Sequence, residues 1–188
     1  GKTNNYTLTF ASGSYTRATT PVTLVAGGSQ QLIIHTQPTG TLANGSTVGT
    51  VVVYITDADQ NLALNDNSQV TLSVAAPGVL GGTLSKSAVS GVATFTDITL
   101  SGPLAGNPYQ IVASDGLLTQ AFSNNITLTL GAAAQLVVTG IDTSIANGAT
   151  LSSFTVSIQD AGGNLLSTDT RQITVSAASP GNLTGLVN

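Results

Sequence analysis

The sequence predicts an all-β chain of tandem β-sandwiches, with one complete repeat flanked by two partial ones. Three observations carry this. Short runs alternate apolar and polar residues, and no stretch sustains a 3.6-residue period. Asn-Gly, Pro-Gly and Gly-Gly pairs punctuate those runs. The chain also repeats itself: residues 42–85 align with 145–188 at an offset of 103 without a gap, and 19 of the 44 positions are identical. LANGST matches IANGAT, ITDADQNL matches IQDAGGNL, and QVTLSVAAPGVLGG matches QITVSAASPGNLTG.

In chain order, Tyr6, Leu8 and Phe10 make the apolar face of a first strand, and Val22, Leu24 and Ala26 that of a second. Both match residues about 103 positions later: Tyr109, Ile111 and Ala113, then Ile126, Leu128 and Leu130. Residues 1–28 are therefore the tail of one repeat. Ala26-Gly27-Gly28-Ser29 is a short linker, and Gly131-Ala132-Ala133-Ala134 is its counterpart. The complete repeat spans 29–131. It opens with Leu32 and Ile34, continues with Val51, Val53 and Ile55, then Val70, Leu72 and Val74. β-Branched residues dominate these runs, as a pleated, half-buried surface favours. Residues 92–100 (VATFTDITL) read as one strand whose parity fails between Phe95 and Ile98, which predicts a β-bulge. Residues 132–188 are the front of a third repeat, with Leu136 and Val138, Phe154, Val156 and Ile158, then Ile173, Val175 and Ala177. Together the end pieces lack only the counterpart of 86–103. The expectation is a window cut from a longer array.

Seven or eight short strands in about 100 residues, with turns every 8–12, is the pattern of a sandwich. Tyr109, opening a late strand after a turn, takes the place of a tyrosine-corner residue, and Tyr6 takes it in the preceding copy.

Composition excludes many functions. Charged residues make up 6% of the 188, and the net charge is −4. All the acidic residues are Asp, the cations are Lys2, Arg17, Lys86 and Arg171, and His35 is the single histidine. Without Cys there is no disulfide framework, thiol nucleophile, iron–sulfur cluster or Cys/His zinc site. So few cations make no basic patch, so nucleic acid is not expected as a partner. No apolar run is long enough to insert in a membrane. The absence of Cys permits an oxidising exterior without requiring one.

The run QLIIHTQPTGTLANGSTVGTVVVYITDADQNL resembles the opening of bacterial immunoglobulin-like repeats of the invasin/filamin-like type, and GGTLSKSAVSGVATFTDITL is similar to their second half. The resemblance covers the whole chain. It implies immunoglobulin-like sandwiches in a large surface-anchored or secreted bacterial protein, where such repeats serve as stalks, fibres or adhesin rods.

Candidate sites are few. Asp57, Asp59 and Asn61 have the alternating oxygens of a calcium loop, but the run lacks the EF-hand glycine and distal Glu. In the other copy Asp59 is Gly162, and a turn whose Asp and Asn cap their own backbone explains both copies; that reading is preferred. Calcium is the one cofactor candidate. Asn5, Asn44, Asn125 and Asn182 each open an Asn-x-Ser/Thr sequon, so glycans are a candidate modification. His35 has no constellation around it and reads as a surface or edge residue; no enzyme is expected. Lys86, the one Lys of the complete repeat, reads as turn-like and unburied, which argues against an isopeptide bond. Tyr54 and Tyr15 are the outward aromatics a sugar site would need.

The expected function is structural: a spacer and assembly element of an extracellular bacterial fibre, stalk or surface layer. Its partners would be neighbouring repeats or identical chains, which would also cover a surface unusually poor in charge. The alternatives are an adhesin module for carbohydrate or protein, and a filament subunit polymerising by β-strand complementation.

Overall fold

The structure, a computed structural model, describes residues 2–177. They form an all-β molecule with several sheets. The single helical element among the described residues is the three-residue 3-10 turn Leu104–Gly106.

The middle of the chain carries the core. One sheet has the order β3 (Gln31–Thr36), β5 (Val51–Thr56), β9 (Val92–Phe95). The other has the order β12 (Ala121–Phe122), β11 (Ile111–Ser114), β6 (Gln69–Val74), β8 (Ser85–Ser87). Both arrangements are antiparallel. Leu32, Ile34, Val51, Val53, Ile55 and Phe95 from the first sheet join Val70, Leu72, Ile111 and Ala113 from the second in one buried cluster. This is the packing of a β-sandwich. Among the described residues every buried hydrophobic side chain lies between Leu32 and Leu128. Two small sheets close the ends: β4 (Thr41–Ala43) runs parallel to β13 (Thr127–Thr129), and β7 (Val79–Gly81) pairs with β10 (Thr99–Ser101).

The flanking segments are hairpins. β1 (Asn4–Phe10) pairs with β2 (Ala18–Leu24), with Tyr6 opposite Val22 and Phe10 opposite Ala18. Tyr109 faces Ile126 and Ala113 faces Ala121 in the middle segment, which is the same register one repeat on. β14 (Ala133–Thr139) pairs with β15 (Thr155–Asp160), with Leu136 opposite Ile158 and Val138 opposite Val156. Leu32 opposite Ile55 and Ile34 opposite Val53 are the corresponding pairs of β3 and β5. The hairpins differ from the middle in burial. Phe10 is 60% exposed and Leu136 56%, whereas their counterparts are in the core.

Three expectations need correction. Residues 92–100 are not one bulged strand. β9 ends at Phe95 and β10 begins at Thr99 in another sheet, so the parity break marks a change of sheet that lets both Phe95 and Ile98 point into the core. Residues 171–177 form no strand. Their counterpart β6 is held between β11 and β8, and the described C-terminal residues supply neither partner. Lys86 lies in strand β8, half-buried, with its ammonium 5.9 Å from the centre of the Phe95 ring.

Candidate functional site: the two inter-segment joints

The DADQN and DAGGN turns, expected to be self-capped or calcium-binding, are where neighbouring segments join. Each turn starts from the end of a strand. Asp57 N–H donates to the Asn61 carbonyl at 3.0 Å, and Asp160 N–H to the Asn164 carbonyl at 3.0 Å. The fourth residue needs a left-handed backbone, with φ of 65° at Gln60 and 79° at Gly163.

The aspartate does two jobs. Asp57 Oδ1 accepts the N–H groups of Asp59 (3.0 Å) and Asn61 (2.9 Å), and the Asn61 amide donates to Oδ1 and Oδ2. Asp57 Oδ2 also accepts Gly27 N–H at 2.8 Å, from the linker of the segment before. Asn61 Oδ1 accepts Thr3 N–H at 2.8 Å, from the same segment. The second joint repeats this. Asp160 Oδ1 accepts Gly162 and Asn164 N–H, and Oδ2 accepts Gly131 N–H at 3.0 Å. Asn164 Oδ1 accepts Leu104 N–H at 2.8 Å.

These donors set the electrostatics. The Asn61 amide, then Gly27 and Asn61 N–H, hold the Asp57 pKa below its usual value against the opposing effect of burial. At Asp160 burial is the largest influence and pushes the pKa up. The Gly131, Asn164 and Gly162 donors together outweigh it, and the net direction is down. Both carboxylates stay ionised while buried because N–H groups point at them. A cation would have to displace those donors, and no group of three or more His, Cys, Asp or Glu able to hold a metal occurs among the described residues.

The second joint carries a further layer. Asn44 is 4% exposed; its amide donates to the Gly102 carbonyl, and its Oδ1 accepts Gly102 N–H at 3.2 Å. The Asn164 amide donates to the same Gly102 carbonyl at 3.2 Å. Pro103, next in the chain, is held by the Tyr109 hydroxyl, which donates to its carbonyl at 2.7 Å. The tyrosine-corner contact thus fixes the stretch whose two sides, Gly102 and Leu104, meet Asn164.

The other candidates are dispersed. Asn44 has both amide atoms engaged in this joint, so a glycan there is incompatible with the joint as built. Asn5 and Asn125 are exposed, and Asn5 Oδ1 accepts the Thr23 hydroxyl at 2.9 Å. Asn182 lies outside the described residues. His35 stacks on Tyr54 with ring centres 4.2 Å apart and planes 9° from parallel, so one face of Tyr54 is covered. Tyr15 is exposed on the β1–β2 turn. No helix among the described residues is long and apolar enough to cross a membrane.

The turns and the linkers are legible in the sequence, but their union is not. The available signal was the Asp with an Asn four residues on, together with a linker glycine 30 residues before Asp57 and 29 before Asp160. No protein-family model and no curated protein matches the chain. Among solved structures, the apo β-glucuronidase 3 of Bacteroides uniformis aligns with 65% of this chain and 16% of its own, at 16% identity and a TM-score of 0.37. A Parabacteroides merdae β-glucuronidase aligns with 60% of this chain and 15% of its own, at 14% identity and the same TM-score. The chain therefore spans about a sixth of either enzyme's length, and at that score the likeness bears on neither fold nor activity.

Proposed function

We propose that this chain is a segment of a tandem immunoglobulin-like array, a spacer and assembly element of an extracellular bacterial fibre, stalk or surface layer. Its repeats are 1–28, 29–131 and 132–188. The observation that carries this reading is the second joint, where Asp160 and Asn164 of one repeat take the Gly131 and Leu104 N–H groups of the repeat before. A short linker whose glycine N–H is held by the aspartate of the next turn resists bending, and stiffness between neighbours is what a stalk needs. The low charge also fits, because a surface covered by neighbours has less need of charged protection. Small-angle scattering from the native protein tests it. A rod whose cross-section matches one sandwich is the expected result, and a compact particle would sink the proposal.

A second reading uses the same sandwich but completes it between copies. The apolar faces of β1–β2 and β14–β15 correspond to the two halves of the middle core; Tyr6, Leu8, Phe10, Leu136 and Val138 are exposed, while Val156 and Ile158 are half-buried. Hairpin β1–β2 of one chain would cover β14–β15 of another, giving a head-to-tail filament. Sedimentation of the 188-residue chain over a range of concentrations separates the two. Growing polymers favour complementation, and a constant monomer favours the spacer.

A further inference from the structure

The two joint turns differ at their middle residue, which is Asp59 in one and Gly162 in the other. The difference has a steric reason. A Cβ built on Gly162 would collide with the Gly102 carbonyl and the Asn44 amide nitrogen. Both obstacles are fixed. Gly102 is backbone, and Asn44 is buried and bonded to it at both amide atoms. The neighbouring Ala161 lies against the Asn44–Gly45 turn, 3.1 Å from where a Gly45 Cβ would stand. The second turn is therefore inserted, Gly162 first, into a socket made by Asn44, Gly45 and Gly102 of the preceding repeat. Three hydrogen bonds rim that socket: Gly131 N–H to Asp160, Leu104 N–H to Asn164, and the Asn164 amide to the Gly102 carbonyl.

We infer that the middle residue of this turn decides which neighbour a repeat docks on: a glycine turn seats in an Asn44–Gly102 socket, and a turn with any side chain there does not. This rests on the reading of the chain as an array. It adds that repeats are not interchangeable, because the DADQN turn of 57–61 cannot take the place of the DAGGN turn of 160–164. The partner that fits the socket is a repeat carrying Asp-Ala-Gly-x-Asn. Gly162 is a positioning and specificity residue, touching no ligand and setting how closely two repeats approach.

The test substitutes each turn residue by its copy-mate in the full chain. Hydrogen exchange is read at the Gly131 and Leu104 amides, with Val53 and Ile55 as reporters of the core. In Gly162→Asp, protection at Gly131 and Leu104 is expected to fall by about tenfold or more while Val53 and Ile55 stay protected. Scattering should show a longer and more variable particle. In Asp59→Gly, the Gly27 amide should keep its protection, because its acceptor Asp57 Oδ2 is untouched. Gly162→Asp with protection within about twofold of the parent at Gly131 and Leu104 overturns the inference and leaves the array reading standing. An unsubstituted chain unprotected at those amides would overturn both. Gly162→Ala guards against a purely electrostatic explanation. It adds a methyl and no charge, and the same loss is expected; full retention would count against the steric socket.

Discussion

The two joints share a pair of inter-segment hydrogen bonds, and the described residues pack more closely around the second. In each, an Asp caps its own turn and takes a linker glycine N–H, and an Asn four residues on takes a second N–H from the same neighbour. Around the second joint the space is filled. A Cβ on Gly131 would collide with the Asn44 carbonyl, whereas one on Gly27 would meet only Asp57 side-chain atoms at an ordinary 3.7 Å. Asp57 with Asp160 and Asn61 with Asn164, which both copies keep, make the shared hydrogen bonds. Gly162, where the copies differ, is the residue that packs against Gly102 and Asn44.

The largest expected effect comes from breaking the feature both joints have. Asp160→Ala strands the Gly131, Gly162 and Asn164 donors in a buried place. Unsatisfied buried donors are costly, and a loss of about 3 kcal/mol is expected in chemical denaturation of the C-terminal segment. Asp57→Ala should act in the same direction at the first joint. Asp57→Ala without any effect on exchange at Gly27 would mean the shared hydrogen bonds do not hold the segments together.

The next effect separates the joints. Gly131→Ala forces a methyl against the Asn44 carbonyl and should cost about 2 kcal/mol. Gly27→Ala meets no such obstacle and should be close to neutral. Equal costs, measured as shifts in denaturation midpoint, would erase the packing difference.

Much of this fold was legible in the sequence, and the illegible part has a physical pattern. Val51, Val53 and Ile55 were read as one face of a strand, and all three are fully buried, because period-two alternation is the direct imprint of a sheet with one covered face. The Tyr109 contact was legible from its position after a turn. The split of 92–100 was not, because a change of sheet and a bulge leave the same broken parity. The joint was not legible either. Asp57 and Asn61 carry the same letters whether their oxygens meet a cation, their own turn or a glycine about 30 residues away, and only the folded path brings Gly27 to Oδ2. Asn44 read as a sequon on a turn. Its bonding to Gly102, 58 residues on, is what no local pattern records.

A smaller effect tests the turn itself. Gln60 holds a left-handed backbone that its copy-mate Gly163 adopts without a Cβ penalty. Gln60→Gly removes that penalty and adds freedom to the unfolded chain, so a net gain of about 0.5 kcal/mol is expected in thermal denaturation. A loss would mean the Gln60 side chain contributes more than its backbone costs.

The smallest effect at neutral pH is the joints' response to acid. Asp57 and Asp160 both titrate below the ordinary 3.8 when folded. Above that value the carboxylates are charged in folded and unfolded chains alike, and their stabilising contribution is fully present. As the pH falls through 3.8 the unfolded chain takes up protons first, which favours unfolding, and the contribution shrinks until the folded pKa is passed. Asp66, Asp97, Asp142 and Asp169 are lowered too, so the parent chain's acid sensitivity belongs to all of them. The joints are isolated by difference. Melting temperature followed from about pH 5 to about pH 2 should fall less steeply in Asp57→Asn/Asp160→Asn than in the parent. The double variant should start lower, because an amide cannot accept the same N–H groups with charge. Parallel curves would mean that the N–H groups pointing at the two joint carboxylates do not lower their pKa, and the hydrogen bonds that the two joints share would lose their energetic meaning.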